Sequence, residues 1–349
     1  MSASMSLLLF WGSVILAVLL TRRTLSSFTP DRDFTDTYKG LAMFLVLYHH
    51  SRIYHSEFWF LFGGGEAYTG VSMFFFISGF GLFRSQEKKE LGTMRFLATR
   101  FLALVPGVIL CMLLRGAIGP LEGQQFWLEK DPLTLLGLRE WFLVAIWACY
   151  LAFILSWKTG RTRLERGLCL GAISLLIAAG LAQARSWSST ELTTMAIMWL
   201  RFPFSFALGV LLAGQMEAVL DFCRRQALFV LIVTGLTLRL AWYSYTDPSI
   251  STIWLADAAI IPFSLAFCSL LYRFGFTSRF WIFLGRNSLY LYLLQVMLLK
   301  YGWFTHVWRK DMIGLLACWA FIMALSFFAA RVRGLLHAMW ARCVERQPA

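Results

Sequence analysis

Apolar positions along this chain fall in long unbroken runs, separated by short clusters of charged and small polar residues. The runs lie near residues 5–20, 39–55, 68–84, 97–115, 133–156, 167–183, 195–215, 227–245, 252–272, 281–300 and 312–330. A helix needs about 20 residues to cross the roughly 30 Å of hydrocarbon in a bilayer. Only helices and closed barrels satisfy every backbone hydrogen bond there. Most of the runs reach that length; those at 39–55 and 68–84 are somewhat short, which suits helices facing a polar cavity. The pattern predicts an all-α, polytopic integral membrane protein with about ten or eleven transmembrane helices and short loops.

Composition agrees. Of 349 residues, 59% are hydrophobic and 15% charged, against about a quarter charged in a soluble domain. Mean hydropathy is +0.65. No stretch is polar enough for a soluble appendage, so residues 1–349 read as a single membrane domain. The first apolar run precedes Arg22 and Arg23, the reverse of a secretory signal's charge order. Residues 5–30 therefore read as a retained N-terminal helix and its following loop. The basic residues alternate between rich and poor loops. The rich set holds Arg22, Arg23 and Arg32; Arg84, Lys88, Lys89 and Arg95; Lys158, Arg161, Arg163 and Arg166; Arg224 and Arg225; Arg273 and Arg279; and Arg331 onward. By the positive-inside rule that set is cytoplasmic. The N-terminus then lies outside, the C-terminus inside, and residues 331–349 form a basic cytoplasmic tail.

The net charge of +13 raises nucleic acid as a partner, but the cations form no single stripe with interleaved aromatics, and that class is set aside. The seven cysteines are scattered, with no CxxC and no Cys/His cluster of zinc spacing, so no metal site is predicted.

Ionisable residues inside a bilayer are costly and mark function by default. The second apolar run opens with Asp36-Thr37-Tyr38-Lys39-Gly40-Leu41-Ala42 and runs on to His49-His50. Lys39 and His50 stand eleven residues apart, about three helical turns plus 20°, hence on one face and roughly 16 Å apart along the axis. Asp36 shares that face. An acid and a cation thus stand at the cytoplasmic mouth, with an imidazole deep in the membrane. That layout suits a cytoplasmic anionic donor whose reactive end reaches inward, with a neutral imidazole taking a proton from an attacking hydroxyl.

These residues, together with Gly70-Val71-Ser72-Met73-Phe74-Phe75-Phe76-Ile77-Ser78-Gly79-Phe80, Trp141-Phe142-Leu143, Arg201-Phe202-Pro203-Phe204-Ser205-Phe206-Ala207-Leu208-Gly209 and Leu284-Gly285-Arg286-Asn287-Ser288-Leu289-Tyr290-Leu291-Tyr292-Leu293-Leu294-Gln295, resemble the acyltransferase-3 family. The likeness spans about residues 31–330. It implies a membrane-bound O-acyltransferase that moves an acyl group, usually acetyl, from cytoplasmic acetyl-CoA or another acyl-CoA to an extracytoplasmic glycan or lipid-linked sugar, in the inner membrane of the cell. It implies a catalytic His50, with His49 as alternative base and Asp36 as orienting acid. It also implies a donor-binding Lys39; Arg84, Arg95 and Arg100 at the cytoplasmic edge, with Ser78, are the further donor-binding candidates, the three arginines fitting positive-inside anchors equally well. Glu66, Tyr68, Trp141, Arg201, Asp257, Ser288, Tyr292 and Gln295 complete the candidate site on the acceptor side, with an Arg201–Asp257 ion pair open on depth. The motif around Ser78-Gly79 reads as an interruption of its helix.

Two departures stand out. The family's hallmark arginine, eleven residues before the histidine, is Lys39 here, which keeps the charge and loses the bidentate fork. Gln295 stands where the family usually carries histidine, and it hydrogen-bonds without titrating. Two other readings stay open on the residues alone: a transporter or flippase, and a catalytically silent scaffold of a glycan pathway.

Overall fold

The computed structural model describes residues 3–22, 29–51, 66–89, 92–118, 141–184, 204–243, 250–295, 298 and 312–345. Among them the chain is helical, apart from turns and one isolated bridge between Arg22 and Ser278. The helices are α1 (Ala3–Leu20), α2 (Arg32–Ser51), α3 (Glu66–Lys88), α4 (Thr93–Ile118), α5 (Trp141–Thr159), α6 (Arg163–Ala184), α7 (Phe204–Leu212), α8 (Met216–Arg225), α9 (Ala227–Tyr243), α10 (Ile250–Arg273), α11 (Arg279–Arg286), α12 (Ser288–Gln295) and α13 (Met312–Glu345).

Three of them, within Thr93–Leu114, Phe142–Thr159 and Ile313–Leu335, are each long and apolar enough to cross a membrane. Joined across its bend, the α7–α8 pair makes a fourth. Large apolar side chains such as Leu20, Leu113, Leu176, Ile232 and Phe328 stand exposed on the outer surface. In water such surface would be a liability; in lipid it is the solvated face. The protein is an all-α membrane protein.

Three segments depart from the sequence expectation. The run at 195–215 ends in a turn at Ala213–Gln215 as expected, but the basic loop after it is the helix α8, which leaves α7 at 97°. Asp221 of α8 pairs with Arg224 and Arg225 at the end of that helix. In the run at 281–300, the residues up to Gln295 form two short helices, broken at Asn287, whose side-chain amide donates to the Phe283 carbonyl (2.8 Å). That bond competes with the helical ladder as Asn side chains do. The Ser78-Gly79 pair interrupts nothing, and α3 is continuous from Glu66 to Lys88.

Gly79 serves packing instead. A Cβ on Gly79 would strike the Phe206 carbonyl of α7, and one on Gly209 of α7 would strike the Phe76 carbonyl of α3. The two helices thus meet backbone to backbone, as small residues permit in membranes. The same device joins α2 to α11: Gly40 abuts the Trp281 carbonyl, and Gly285 abuts the Asp36 carbonyl. Central α2 also packs along α3, where Gly70 meets the Ala42 carbonyl. Around its middle an aromatic knot forms. The Phe44 ring lies 5.8 Å from Trp11 of α1, 5.6 Å from Trp281 of α11 and 6.0 Å from Trp319 of α13. Four helices, α1, α3, α11 and α13, therefore fix the height and rotation of α2, which carries the candidate chemistry.

Candidate active site

Close approach of α2 and α11 places Arg286 beside the first turns of α2. Its Nε donates to Asp36 Oδ2 at 2.8 Å, and its Nη2 lies 3.3 Å from Asp33 Oδ1. Arg32 stands 3.9 Å from the same Asp36 oxygen. Asp36 is buried, so this bonding to Arg286 is what holds its charge away from water. The expected task of orienting Lys39 falls to Asp36 only through space: it is the attractive charge near Lys39, opposed by Arg32, Arg100 and Arg333.

These residues border a cavity of about 810 Å³, within the roughly 300–1,000 Å³ usual for ligand sites. Six cations line it (Arg32, Lys39, Arg279, Arg286, Arg331 and Arg333) against the single carboxylate of Asp36. Arg331 and Arg333 come from α13, which continues as helix through the basic segment to Glu345. The other walls are Phe74, Phe75 and Ser78 of α3, Leu104 of α4, Phe142, Ile146 and Tyr150 of α5, and Ser288 and Tyr292 of α12. Phe142 and Tyr292 meet with ring centroids 4.4 Å apart. The cavity is thus cationic on the α2–α11–α13 side and aromatic toward α3 and α5.

Of the sequence candidates, Asp36, Lys39, Ser78, Ser288 and Tyr292 are brought together here. Arg100 sits just behind, its guanidinium 5.2 Å from the Phe96 ring and 5.9 Å from Tyr150, with its Nε buried and unpartnered. Arg84, Arg95 and Tyr68 are not among the lining residues. Arg201 lies outside the described residues, and the side chains of Glu66, Trp141 and Asp257 lie outside them too, so the Arg201–Asp257 pair has no structural account.

His49 and His50 end α2, with rings 5.4 Å apart and perpendicular. Neither lines the cavity. His50 Nδ1 is 3.0 Å from the Val46 carbonyl. A carbonyl oxygen only accepts, so Nδ1 carries the proton and the basic lone pair resides on Nε2. The next residue ties α2 to α13: Ser51 Oγ donates to the Leu47 carbonyl (2.7 Å) and accepts from Trp319 Nε1 (2.9 Å). Gln295 is wholly buried, and among the described residues neither its amide oxygen nor its nitrogen has a partner. It follows Ser288 by seven residues and Tyr292 by three, so all three share one face of α12.

Sequence reasoning passed over Arg279, Arg286, Arg331, Arg333 and Tyr150. The arginines read equally well as topology signals. The available clue was Arg286 beside Gly285, a charge next to a residue that lets another backbone come close.

The site is thus an open, cation-rich cavity in a multi-helix membrane protein, with charge of the sign that complements an anionic ligand. The acyltransferase domain family of the acyltransferase-3 model matches residues 32–331. The chain belongs to that family and is an acyltransferase. Comparison with curated proteins and with solved structures returns no match.

Proposed function

We propose that this acyltransferase moves an acyl group, acetyl by family likeness, from a cytoplasmic acyl-CoA to a hydroxyl of an extracytoplasmic glycan or lipid-linked sugar. The observation that carries the reading is the cavity's asymmetry, six cations beside one paired carboxylate and aromatic walls further in. Arg286, Arg331, Arg333 and Lys39 are suited to a donor's phosphates, because guanidinium forks bind them by charge-assisted hydrogen bonds. The aromatic walls suit an extended, largely neutral arm. The protein sits in the inner membrane with its N-terminus outside, and the cations of three helices, α2, α11 and α13, then share the cytoplasmic mouth.

His50 Nε2 takes the proton of the acceptor hydroxyl as the oxygen attacks the thioester carbonyl. The new C–O bond forms as the C–S bond breaks, and the thiolate leaves and takes up a proton to become the free thiol. Lys39 and His50 share a face of α2 about 16 Å apart, a separation that suits a donor held at its charged end and reacting at the other. His49 differs by about 100° around the helix and serves only if it, not His50, faces the acceptor.

Thiol release from acetyl-CoA by purified membranes containing the host's surface glycan tests this. His50→Ala is expected to lose about 10²–10⁴-fold in turnover, while His49→Ala, matched for expression and folding, keeps it. Absence of thiol release by wild type with every acyl donor and acceptor overturns the reading in favour of transport or scaffolding.

A further inference from the structure

A second cavity of about 360 Å³ lies between α1, α2, α3 and α10. It shares no lining residue with the cationic cavity; α11 partitions the two, with Trp281 on one side and Ile282 and Phe283 on the other. Its wall presents no polar surface. The one serine that borders it, Ser264, is spent on Tyr38 (2.6 Å) and the Ile261 carbonyl (2.8 Å). Ile15, Leu19, Phe267 and Phe276 form an exposed rim, so the groove opens sideways to lipid. Its outer wall, α1, precedes residue 32, where the family match begins.

Three observations select the occupant. First, the size suits a thin occupant, since one turn of a helix about 10–12 Å wide already fills roughly 400 Å³ or more, above the 360 Å³ of the groove. A dry apolar cavity of about 150 Å³ takes up benzene, so this one holds a stretch of a single alkyl chain. Second, the length matches. From Trp11 to Leu19 α1 advances about 12 Å, close to the roughly 15 Å of one leaflet's hydrocarbon. Third, one end is cationic. Arg22 follows Leu19 by three residues, and its Nε donates to the Gly275 carbonyl (2.9 Å), next to rim residue Phe276. Arg273 and Arg279 flank the same turn and are exposed.

We propose that this groove holds one acyl chain of an anionic phospholipid, its phosphate head at Arg22 and Arg273. The site wedges lipid between α1 and α10 and thereby braces the back of α2 and α11. It rests on the membrane class of the protein and not on the donor, acceptor or base proposed above, so the two fail independently.

The test reconstitutes the full chain in phosphatidylcholine vesicles doped with phosphatidylglycerol or phosphatidylcholine bearing a photoactivatable acyl chain, and maps the adducts by mass spectrometry. The phosphatidylglycerol probe is expected to label residues 11–19 and 263–276 about 25-fold more than the phosphatidylcholine probe, about five-fold for each arginine, and Arg22→Gln to reduce that preference about five-fold. Leu45→Trp, which fills the groove, abolishes the labelling. Should Leu45→Trp fail to fold, Ile15→Trp at the rim decides instead. Equal labelling by both probes, adducts spread evenly over the exposed faces of α9 and α13, or labelling that survives the filling variant overturns the proposal.

Discussion

Replacing Gly285 by alanine tests how the site is assembled. A Cβ there would lie 2.6 Å from the Asp36 carbonyl carbon and closer still to its oxygen, where apolar contacts settle at about 3.5–4.0 Å. The obstacle is backbone on a neighbouring helix, which no rotamer change removes, so α2 and α11 must part by about 1 Å. Overpacking costs about 1–3 kcal/mol, and this geometry belongs at the upper end. Alanine returns about 0.5–1 kcal/mol of helix propensity, leaving a net loss of about 2 kcal/mol. Gly81, also helical, has nothing within 4 Å of its built Cβ, so Gly81→Ala should gain about 0.5–1 kcal/mol. Reversible unfolding in mixed detergent and SDS micelles, followed by circular dichroism, measures both. Opposite signs support the close-packed seam, with turnover also lower in Gly285→Ala because Arg286 is carried off Asp36. If Gly285→Ala is as stable as Gly81→Ala, backbone contact does not fix the site.

Other expectations follow from single contacts. In a double-mutant cycle, Arg286→Ala and Asp36→Asn should couple by about 1.5–3 kcal/mol, the range for hydrogen bonds to charged groups, and coupling under about 0.5 kcal/mol would mean independent sites. Glu165, in the exposed first turn of α6, accepts from the backbone N–H groups of Arg161 (2.8 Å) and Thr162 (3.3 Å), which hold its carboxyl below its ordinary value of 4.5. A carboxyl depressed on folding stabilises the protein above that ordinary value and loses the contribution as pH falls through the folded one. Wild type should therefore unfold at higher denaturant than Glu165→Gln near neutrality, with the gap closing in acid; a pH-independent gap refutes the capping role. Gln295→Leu removes a buried amide with no partner among the described residues, so it should raise stability by about 1–3 kcal/mol while lowering turnover, the trade-off expected of a site residue. Lower stability in that variant would show that the amide is satisfied in solution.

Much of the architecture is legible in the order of residues alone. Unbroken apolar runs demand helices, because the alternative in lipid, a closed barrel, needs shorter strands of alternating polarity. The ordered motifs from Asp36 to Gln295 point to the family that the 32–331 match establishes. The eleven-residue spacing of Lys39 and His50 is local helical arithmetic, and α2 is continuous through both. Breaks were less visible. Ser78-Gly79 resembles a break yet packs as a seam, whereas Asn287 ends a helix inside a run that looked continuous, and the loop expected after residue 215 is itself a short helix. Apolar periodicity does not register a side-chain amide bonding its own backbone.

What tertiary structure alone decided is which charges meet. Asp36 and Arg286 are 250 residues apart in sequence, and their pairing depends on two glycines that let α2 and α11 touch. Arg331 and Arg333 read as membrane anchors until α13 carries them to the same mouth as Lys39. A topology signal and a ligand-binding cation are the same residue type at the same depth, and only the rotation of each helix about its axis separates the two roles. Packing between helices sets that rotation, and no single helix encodes it.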